Sequence, residues 1–337
     1  MAKITINDVA TVAGVSIKTV SRVMNKEANV SPSMRLKVQN VINELDYLPS
    51  ASARGLATKQ SYNIGLAYSN VTPSYIHALQ TGALAACREQ GYDLLIYPCE
   101  VDNPNLCNDL ALLFSQQKVD GLILTPPLTD HHPLIARLTK EHALFANISP
   151  IHHHPGIPDV QTNEQAAACS LTEHLIGLGH RNIGIILGPP DHAASINRLA
   201  GFTQALKSAG ITFDKKYLAQ GEFDFESGQS CTRALLKLEP KPTAIFACND
   251  AIAAGVMSVA YQQGMTLPQD LSITGFDNSP TASLTHPTLT TVKQPTQELA
   301  YIAAQMLINT LRKESINESA EAPGCELIIR ESTAAKP

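Results

Sequence analysis

Apolar and polar positions follow a helical period over the first part of the chain. In the first segment the apolar positions are Val9, Val12 and Ala13. Thr5 and Asp8 precede them at the spacing of a capping box, which satisfies backbone donors at a helix start. Gly14 follows, and glycine readily adopts the positive φ of a tight turn. The pattern predicts a short helix that ends at this glycine.

A second helical pattern begins after Ser16, a residue type preferred at helix N-caps, and runs over Ile17–Asn25. Its apolar face consists of Val20, Val23 and Met24. The opposite face carries Ile17, Lys18, Ser21, Arg22 and Asn25. Such a face suits the major groove of DNA, because Lys and Arg pair with guanine acceptors or phosphates and Ser and Asn hydrogen-bond to either. An ordinary helical hairpin with a solvated polar face fits the same pattern.

A third helical pattern starts at Ser31 and Pro32, which provide an N-cap and a first-turn proline. Its apolar positions are Met34, Val38, Val41, Ile42 and Leu45. The run ends at Tyr47–Pro49, since proline does not continue a helix. Three short helices in this order predict a helix-turn-helix DNA-binding headpiece over residues 1–49.

Residues 50–60 are expected to form a hinge helix or linker, which we call the linker segment; its stretch Ser50–Thr58 is too short to be a stable helix alone. Small side chains around Ala53 and Arg54 would let two copies of the segment lie close together. Leu56 is a single bulky apolar residue with no local core to join. It can act as a wedge between base pairs in the minor groove, or it can be buried against the next domain.

From residue 61 onward, apolar runs typical of strands alternate with helical patterns. The first series of predicted strands is Tyr62–Tyr68, Tyr92–Pro98, Val119–Thr125 and Ala143–Ile148. The helices of that series lie near 74–90, 104–117 and 132–141. In the second series the strands are Asn182–Leu187, Ala244–Ala247 and Leu271–Gly275, and the helices lie near 163–178, 195–209, 226–238 and 250–264. Two alternating series predict an α/β core of two lobes, each a parallel sheet flanked by helices.

Charge is distributed unevenly along the chain. Residues 1–60 contain eight Lys and Arg against four acids, a net charge of +4, whereas the whole chain of 337 residues carries −5. The remainder therefore carries −9, and a basic end on an acidic body is expected when only that end meets phosphate. We find no run of apolar residues long enough for a membrane span and no signal peptide, so a cytoplasmic protein is expected.

The chemistry of an enzyme has no sequence support. No GxSxG, HExxH, Walker A or strand-linked GxGxxG motif occurs, and the seven cysteines lack CxxC spacing. Two histidine clusters, at 131–132 and 152–154, could bind a metal, but adjacent loop residues rarely converge on one ion. We therefore expect no catalytic residues, no metal and no cofactor.

These residues carry a resemblance to the lactose/galactose repressor family. It begins in Thr5–Asn25, Val30–Pro32, Tyr47–Pro49 and Ala53–Leu56. It continues through Ile64–Gly65, Val119–Ile123, Leu178–Arg181, Arg198–Phe202, Cys248–Asp250, Gly275–Asp277 and Thr290–Pro295. The resemblance implies a dimeric or tetrameric DNA-binding regulator with a core like that of periplasmic sugar-binding proteins. The DNA-contacting set expected on this basis is Thr5, Ser16, Ile17, Lys18, Thr19, Ser21, Arg22, Asn25, Ser31, Ala53, Arg54 and Leu56.

The resemblance also implies how the chain divides into lobes. It crosses back near 290–295, so lobe 1 would hold residues 61–161 and 293–323, and lobe 2 residues 162–292 and 324–337. Tetrameric members carry an added apolar heptad helix at the C-terminus, and this sequence shows no such repeat, so a homodimer is expected.

Ligands of open parallel sheets bind beyond the carboxyl ends of the strands, which places a site between the two lobes. Arg198 enters a helix, and the polar residues at these ends are Ser69, Asn70, Asn147, Asn249, Asp250, Asp277 and Asn278. Carboxylate, amide and guanidinium groups suit a polyhydroxylated ligand, although each residue alone could be a turn or capping residue.

The resemblance sharpens this set. Arg198, Asn249, Asp277 and Gln294 match positions that contact the effector in the family, and Phe223 matches an aromatic residue that stacks on the sugar ring. Asn147 stands where some members carry an acid, and Tyr75 would close the other side. We therefore expect a repressor of carbohydrate-utilisation genes controlled by a sugar, phosphosugar or glycoside. A sugar-responsive activator, a corepressor-dependent regulator and a sugar-binding module without DNA function are the alternatives.

The wedge hypothesis makes a direct prediction for Leu56. We expect Leu56→Ala to weaken binding to DNA from upstream of the chain's own gene and to reduce DNA bending, because a methyl group cannot part a base step. Gel-shift titration and a bending assay by circular permutation measure both effects, with Thr58→Ser as the control within the linker segment. Unchanged bending in Leu56→Ala would refute the wedge.

Overall fold

The computed structural model describes residues 4–24, 29–45, 47, 60–69, 72–314 and 319–336. The chain divides into two compact units, Met1–Tyr62 and Asn63–Pro337. Of the linker segment, only residue 60 is described, so the predictions for Ala53, Arg54 and Leu56 lie outside the described residues, as do those for Asn25 and Asn70.

The first unit contains three helices: α1 Ile6–Ala13, α2 Ile17–Met24 and α3 Pro32–Glu44. The cap of α1 is the predicted one, because the Asp8 carboxylate accepts hydrogen bonds from the backbone N–H and hydroxyl of Thr5, both at 2.7 Å. Gly14 ends α1 with a φ of 60°. Ser16 and Ser31 then cap α2 and α3 by accepting backbone N–H groups three residues further along.

The three helices pack around one apolar cluster. Its buried members are Val9, Ala10, Ala13, Val20, Val23, Val38, Val41 and Tyr47. The prediction for Val12 was wrong, since that side chain is 54 % exposed and Ala10 is buried instead. The reason is angular: at 100° per residue Ala10 lies on the flank of the Val9–Ala13 stripe that faces the other helices, and Val12 lies on the opposite flank.

The second unit begins with a parallel sheet. Its strands are β1 Asn63–Tyr68, β2 Asp93–Pro98, β3 Gly121–Leu124, β4 Phe145–Ile148, β5 Asp159–Gln161 and β11 Ser319–Glu321. They are ordered β11–β5–β4–β3–β1–β2. Helices α4 Pro73–Glu89, α5 Leu106–Ser115 and α6 His132–Lys140 connect the first four strands, as right-handed parallel crossovers require.

A second parallel sheet follows. Its strands are β6 Ile183–Leu187, β7 Leu218–Gln220, β8 Ala244–Ala247 and β9 Ser272–Thr274, ordered β7–β6–β8–β9. The helices of this half are α7 Glu164–Gly177, α8 Ala193–Ser208, α9 Phe225–Leu235, α10 Asp250–Gln262 and the short α11 Pro280–Leu284. Its core includes the fully buried rings of Phe202, Phe246 and Phe276. The two parallel sheets flanked by helices confirm the predicted fold class.

Three stretches of chain pass between the two sheets. The second stretch contains β10 Thr291–Lys293, which pairs antiparallel with β12 Glu326–Ile328. The first and third are joined by hydrogen bonds, from the Cys325 N–H to the Asn163 side-chain oxygen at 2.7 Å and from the Thr162 hydroxyl to the Pro323 carbonyl at 3.2 Å. We call these three stretches, residues 162–163, 291–295 and 322–326, the crossovers.

The helix after the second crossover, α12 Thr296–Leu311, returns to the first sheet and packs on α4. The Tyr301 hydroxyl donates to the Glu89 carboxylate at 2.7 Å across this contact. The chain beyond β12 returns to the second sheet, where the Ile273 N–H donates to the Ser332 carbonyl. Strands β5, β7, β10 and β11 were not predicted, because three residues are too few to show a period. Strand β9 is equally short but lies within the apolar run Leu271–Gly275, which made it recognisable.

The α4–α12 contact depends on a glycine. A Cβ on Gly82 would lie 1.9 Å from the backbone oxygen of Gln297, whereas a Cβ on Gly177, the last residue of α7, would meet no atom within 4 Å. We expect Gly82→Ala to lower the free energy of unfolding by about 1–3 kcal/mol through overpacking. Gly177→Ala, the matched control, should equal or exceed wild-type stability. Urea unfolding measures both, and equal midpoints for Gly82→Ala and the wild type would contradict the close approach.

Candidate functional site

A cavity of about 480 Å³ opens where the carboxyl ends of the strands in the two sheets face each other. Its polar wall is formed by residues that follow strands or lie at or within the first two turns of helices: Tyr75, Ser149, Glu164, His192, Arg198, Asn249, Asp277 and Gln294. Pro126, Phe223 and Leu299 add apolar surface. A wall that combines apolar surface with a few converging polar groups is typical of small-molecule sites.

Arg198 is the centre of the polar wall. It extends from α8, is 3 % exposed and donates to the Glu164 carboxylate at 2.9 Å. A second donor bonds to the Cys248 carbonyl, and the Asp277 carboxylate lies 3.8 Å away. The guanidinium also lies over the Phe276 ring, 3.9 Å from the centroid. Burial works against the charge of Arg198, but Glu164 and Asp277 raise its pKa, so the side chain stays a cation.

Asp277 follows the end of β9 in a turn with a φ of 109°. Its N–H donates to the Val292 carbonyl, and its carboxylate accepts from the Gln294 amide at 2.6 Å. Burial raises the pKa of Asp277 to about 7, while the Arg198 charge acts in the opposite direction. The positive φ and the hydrogen bond to Val292 in β10 fix the position of Asp277. The protonation of its carboxyl group therefore changes near neutral pH.

Asn249 connects the cavity to the end of β8. Its side-chain oxygen caps α10 by accepting the Ile252 N–H at 2.8 Å, and its amide donates to the Phe223 carbonyl at 2.8 Å. Phe223 has a φ of 61°, which non-glycine residues seldom adopt. Its ring is 7 % exposed and meets the His192 ring edge-on at 5.1 Å between centroids. The Asn249 amide thus fixes the backbone of Phe223, whose ring forms, together with the His192 ring, what we call the aromatic wall.

Tyr75 lines the side of the cavity formed by α4. Burial, followed by the nearby Glu164 and Asp277 carboxylates, raises the pKa of Tyr75. Its phenol therefore stays protonated and can both donate and accept a hydrogen bond.

The structure brings together six of the nine predicted ligand-binding residues. These are Tyr75, Arg198, Phe223, Asn249, Asp277 and Gln294. Ser69 lines an adjacent cavity instead. Asn147 is buried on β4 and lines neither cavity.

Sequence reasoning missed Glu164 and His192. Glu164 follows Asn163 at a helix start, where an acid reads as a response to the helix dipole. His192 occupies an N-cap, a position that the sequence marks only by the change from strand to helix. Glu164, whose carboxylate accepts from Arg198 at 2.9 Å, therefore belongs to no motif that would distinguish it in the sequence.

The residues predicted to contact DNA fall into two groups in the structure. Ile17 and Lys18 are exposed on α2, and Ser21 and Arg22 are half-buried. Ser16 and Thr19 hydrogen-bond to each other at 2.9 Å. Thr5 and Ser31 take part in the helix caps described above. Their contacts with DNA stay predictions.

Two members of the histidine clusters have local structural partners. His131 caps α6 by accepting the Leu134 N–H, and His153 pairs with the Asp159 carboxylate. Within the described part of the chain, no three His, Cys, Asp or Glu side chains are grouped as a metal site would require. No described helix combines the length and apolar character needed to cross a membrane.

Comparison with known proteins adds family evidence to this geometry. Residues 5–50 match the family described as "Bacterial regulatory proteins, lacI family", and residues 172–333 match a "Periplasmic binding protein-like domain". The ribose operon repressor of Escherichia coli (strain K12) is 34 % identical over 322 residues, 93 % of this chain and 95 % of that protein.

Two solved structures extend the comparison. The lac repressor dimer bound to operator and the anti-inducer ONPF has a TM-score of 0.80 at 27 % identity, and the match covers 99 % of this chain and 100 % of the other. The transcriptional regulator CelR–cellobiose complex has a TM-score of 0.74 at 27 % identity, covering 98 % and 99 %.

Asp277 should give stability a pH dependence. A folded-state pKa of about 7, against an ordinary 3.8, means that the folded protein holds a proton that the unfolded chain releases. Stability from this group therefore falls as pH rises through that window. The quantity to compare is the free energy of unfolding of the wild type minus that of Asp277→Asn. We expect this difference to fall by on the order of 1 kcal/mol between about pH 5 and about pH 7.5.

Urea unfolding at several pH values measures this difference. Asp214→Asn is the control, because the Lys216 N–H lowers the pKa of exposed Asp214 and its contribution changes only in more acidic solution. A difference between wild type and Asp277→Asn that is constant across the window would contradict the raised pKa.

Proposed function

The chain belongs to the lacI family of bacterial regulatory proteins, and from this premise we propose that it represses carbohydrate-utilisation genes under the control of a small sugar-like effector. It is a DNA-binding transcriptional regulator and not an enzyme. We assign the effector to the cavity around Arg198 and Asp277. We assign the operator to the headpiece and the linker segment, and the protein to the cytoplasm as a homodimer.

The observation that carries the effector assignment is the buried cluster of Arg198, Glu164 and Asp277 beside an aromatic wall. Ionised groups are buried at a cost unless they are paired, so a cluster of this kind at a cavity is suited to a specific polar ligand. A sugar fits both parts of the wall, because its hydroxyls pair with carboxylates and amides and its apolar face stacks on a ring. The cellobiose bound by the CelR relative supports the same class.

The DNA assignment rests on the headpiece. Ile17 and Lys18 are exposed on the second helix of a helix-turn-helix, the element that enters the major groove in such proteins. Two headpieces of a dimer would read two half-sites, and Leu56 of each linker segment would enter the minor groove. The lac repressor relative is described as a dimer bound to operator, which supports a dimer on operator DNA for this chain.

Control follows from differential affinity. An effector changes operator binding only if it binds the DNA-competent and DNA-free arrangements of the lobes with different affinities. Gln294 lies in the second crossover, Asp277 is hydrogen-bonded to that crossover through the Val292 carbonyl and the Gln294 amide, and Glu164 directly follows the first crossover. A ligand held by these residues therefore contacts the part of the chain that joins the lobes. Closure of the cavity would then move lobe 1 and the linker segments attached to it.

The proposal predicts that effector response and operator binding can be separated. Asp277→Asn and Phe223→Ala should bind operator normally and respond to effector at least about tenfold more weakly, since a charged hydrogen bond is worth roughly 1.5–3 kcal/mol. Arg22→Ala should lose about 1–3 kcal/mol on operator DNA and keep effector binding. Calorimetry on a sugar panel and gel shifts with upstream DNA measure the two properties.

Arg22→Ala and Asp277→Asn are therefore reciprocal controls for each other. Equal loss of sugar binding in Arg22→Ala would contradict two separable modules. A sugar that binds wild type, Asp277→Asn and Phe223→Ala alike must occupy another site, which would overturn the effector assignment.

A further inference from the structure

His192 presents an unpaired hydrogen-bond donor to the cavity. Its Nδ1 accepts the Ala194 N–H at 3.3 Å, so the proton of the neutral ring is on Nε2. Nε2 is buried and has no hydrogen-bond partner among the described residues, and His192 is only 9 % exposed. A buried donor without an acceptor is unfavourable, and an oxygen of a bound ligand would satisfy it.

The same histidine adds no positive charge. Burial, and then the positive charge of Arg198, lower the pKa of His192 to about 4. The ring is therefore neutral at physiological pH and supplies only a donor.

The positive charge of Arg198 is already balanced by neighbouring carboxylates. Among the described residues that line the cavity, it is the one cation at neutral pH, and it already faces the carboxylates of Glu164 and Asp277. Protonation of Asp277 would bring the lining to neutrality and not to a net positive charge. A phosphate or carboxylate entering the cavity would lose its hydration without finding a free counter-charge.

An acidic region adjoins the cavity. A neighbouring cavity of about 1050 Å³ shares His192 and Phe223 with it. The carboxylates along that second cavity, which we call the acidic vestibule, belong to Glu100, Asp102, Asp191 and Glu222. All four are exposed, and none forms an ion pair with a residue that the structure describes. Their summed potential repels an approaching anion at low ionic strength.

We propose that the effector is an uncharged sugar, without a phosphate or carboxylate, and that His192 Nε2–H donates a hydrogen bond to one of its oxygens. This inference rests on the proposed function and narrows its ligand class. Hydroxyl groups both donate and accept, so those of a sugar can accept from His192 Nε2–H and Arg198 Nε–H and donate to the Asp277 carboxylate. The two nitrogens are buried and have no hydrogen-bond partner among the residues that the structure describes. A phosphate at neutral pH accepts only, and it would face that carboxylate unfavourably.

Calorimetry on matched pairs of sugars tests the ligand class. The pairs are ribose with ribose 5-phosphate and glucose with glucose 6-phosphate, titrated into the full-length protein. We expect the neutral member of the pair that binds to bind at least tenfold more tightly than its phosphate. Equal or tighter binding of the phosphate would overturn the proposal and leave the proposed function standing. Binding of neither member of either pair, nor of any sugar in the wider panel, would count against the proposed function itself.

The vestibule is tested by neutralising two of its carboxylates. In Asp191→Asn/Glu222→Gln we expect the preference for the neutral sugar to shrink at low salt and the change to disappear at high salt, where charges are screened. Glu239→Gln, an exposed acid that lines neither cavity, is the control and should keep the wild-type preference. An unchanged preference in the double variant would overturn the role of the vestibule.

Two substitutions at His192 test the donor. His192→Asn retains an acceptor near the Ala194 N–H but does not reach as far as Nε2, so we expect the neutral sugar to bind about five- to tenfold more weakly. His192→Gln places an amide N–H close to the position of Nε2 and should recover most of that loss. Circular dichroism and thermal unfolding establish that both variants are folded. Equal affinities of wild type and His192→Asn, or failure of a folded His192→Gln to bind better than His192→Asn, would overturn the assignment of His192.

Discussion

The second unit is organised around a guanidinium that is almost completely removed from water. A charge in that position is tolerated only if carboxylates, carbonyls and an aromatic face replace its hydration. Arg198 obtains these groups from Glu164 at the start of α7, Cys248 at the end of β8 and the Phe276–Asp277 turn after β9. Its burial therefore requires a helix and two strand ends to converge. The cavity lies where they do so.

The convergence also explains two uncommon backbone conformations. Phe223 and Asp277 both have positive φ, and each is fixed by a hydrogen bond, from the Asn249 amide to the Phe223 carbonyl and from the Asp277 N–H to the Val292 carbonyl. Neither conformation is favourable for a residue with a side chain, so the surrounding structure must supply the compensation. The result is a preformed wall, whose shape is set before any ligand arrives.

Sequence reasoning found most of the architecture and part of the cavity, for identifiable physical reasons. Buried parallel strands such as Ala244–Ala247 appear as continuous apolar runs, and amphipathic helices such as α2 leave a period that can be counted. The three-residue strands β5, β7, β10 and β11 leave neither signal. The role of Asp277 could be predicted from the sequence, because a polar residue directly after a buried strand marks the carboxyl edge of a sheet. The role of Glu164 could not be predicted, because it depends on Arg198, which lies 34 residues away in the sequence. An acidic residue at the start of a helix is already explained by the helix dipole. The prediction that Val12 is buried was wrong, because three apolar positions do not determine which flank of a short helix faces the core.

The three crossovers restrict how the lobes can move. A single connecting segment would allow bending and twisting about every axis, whereas three segments linked to one another resist most of these motions. The antiparallel pairing of β10 with β12 and the hydrogen bonds of Asn163 and Thr162 to the third crossover prevent them from sliding independently. We therefore expect the softest relative motion of the lobes to be a rotation about an axis through the crossovers. Ligand contacts near such an axis have a short lever arm, so a displacement of a fraction of an ångström there is magnified at the far end of each lobe.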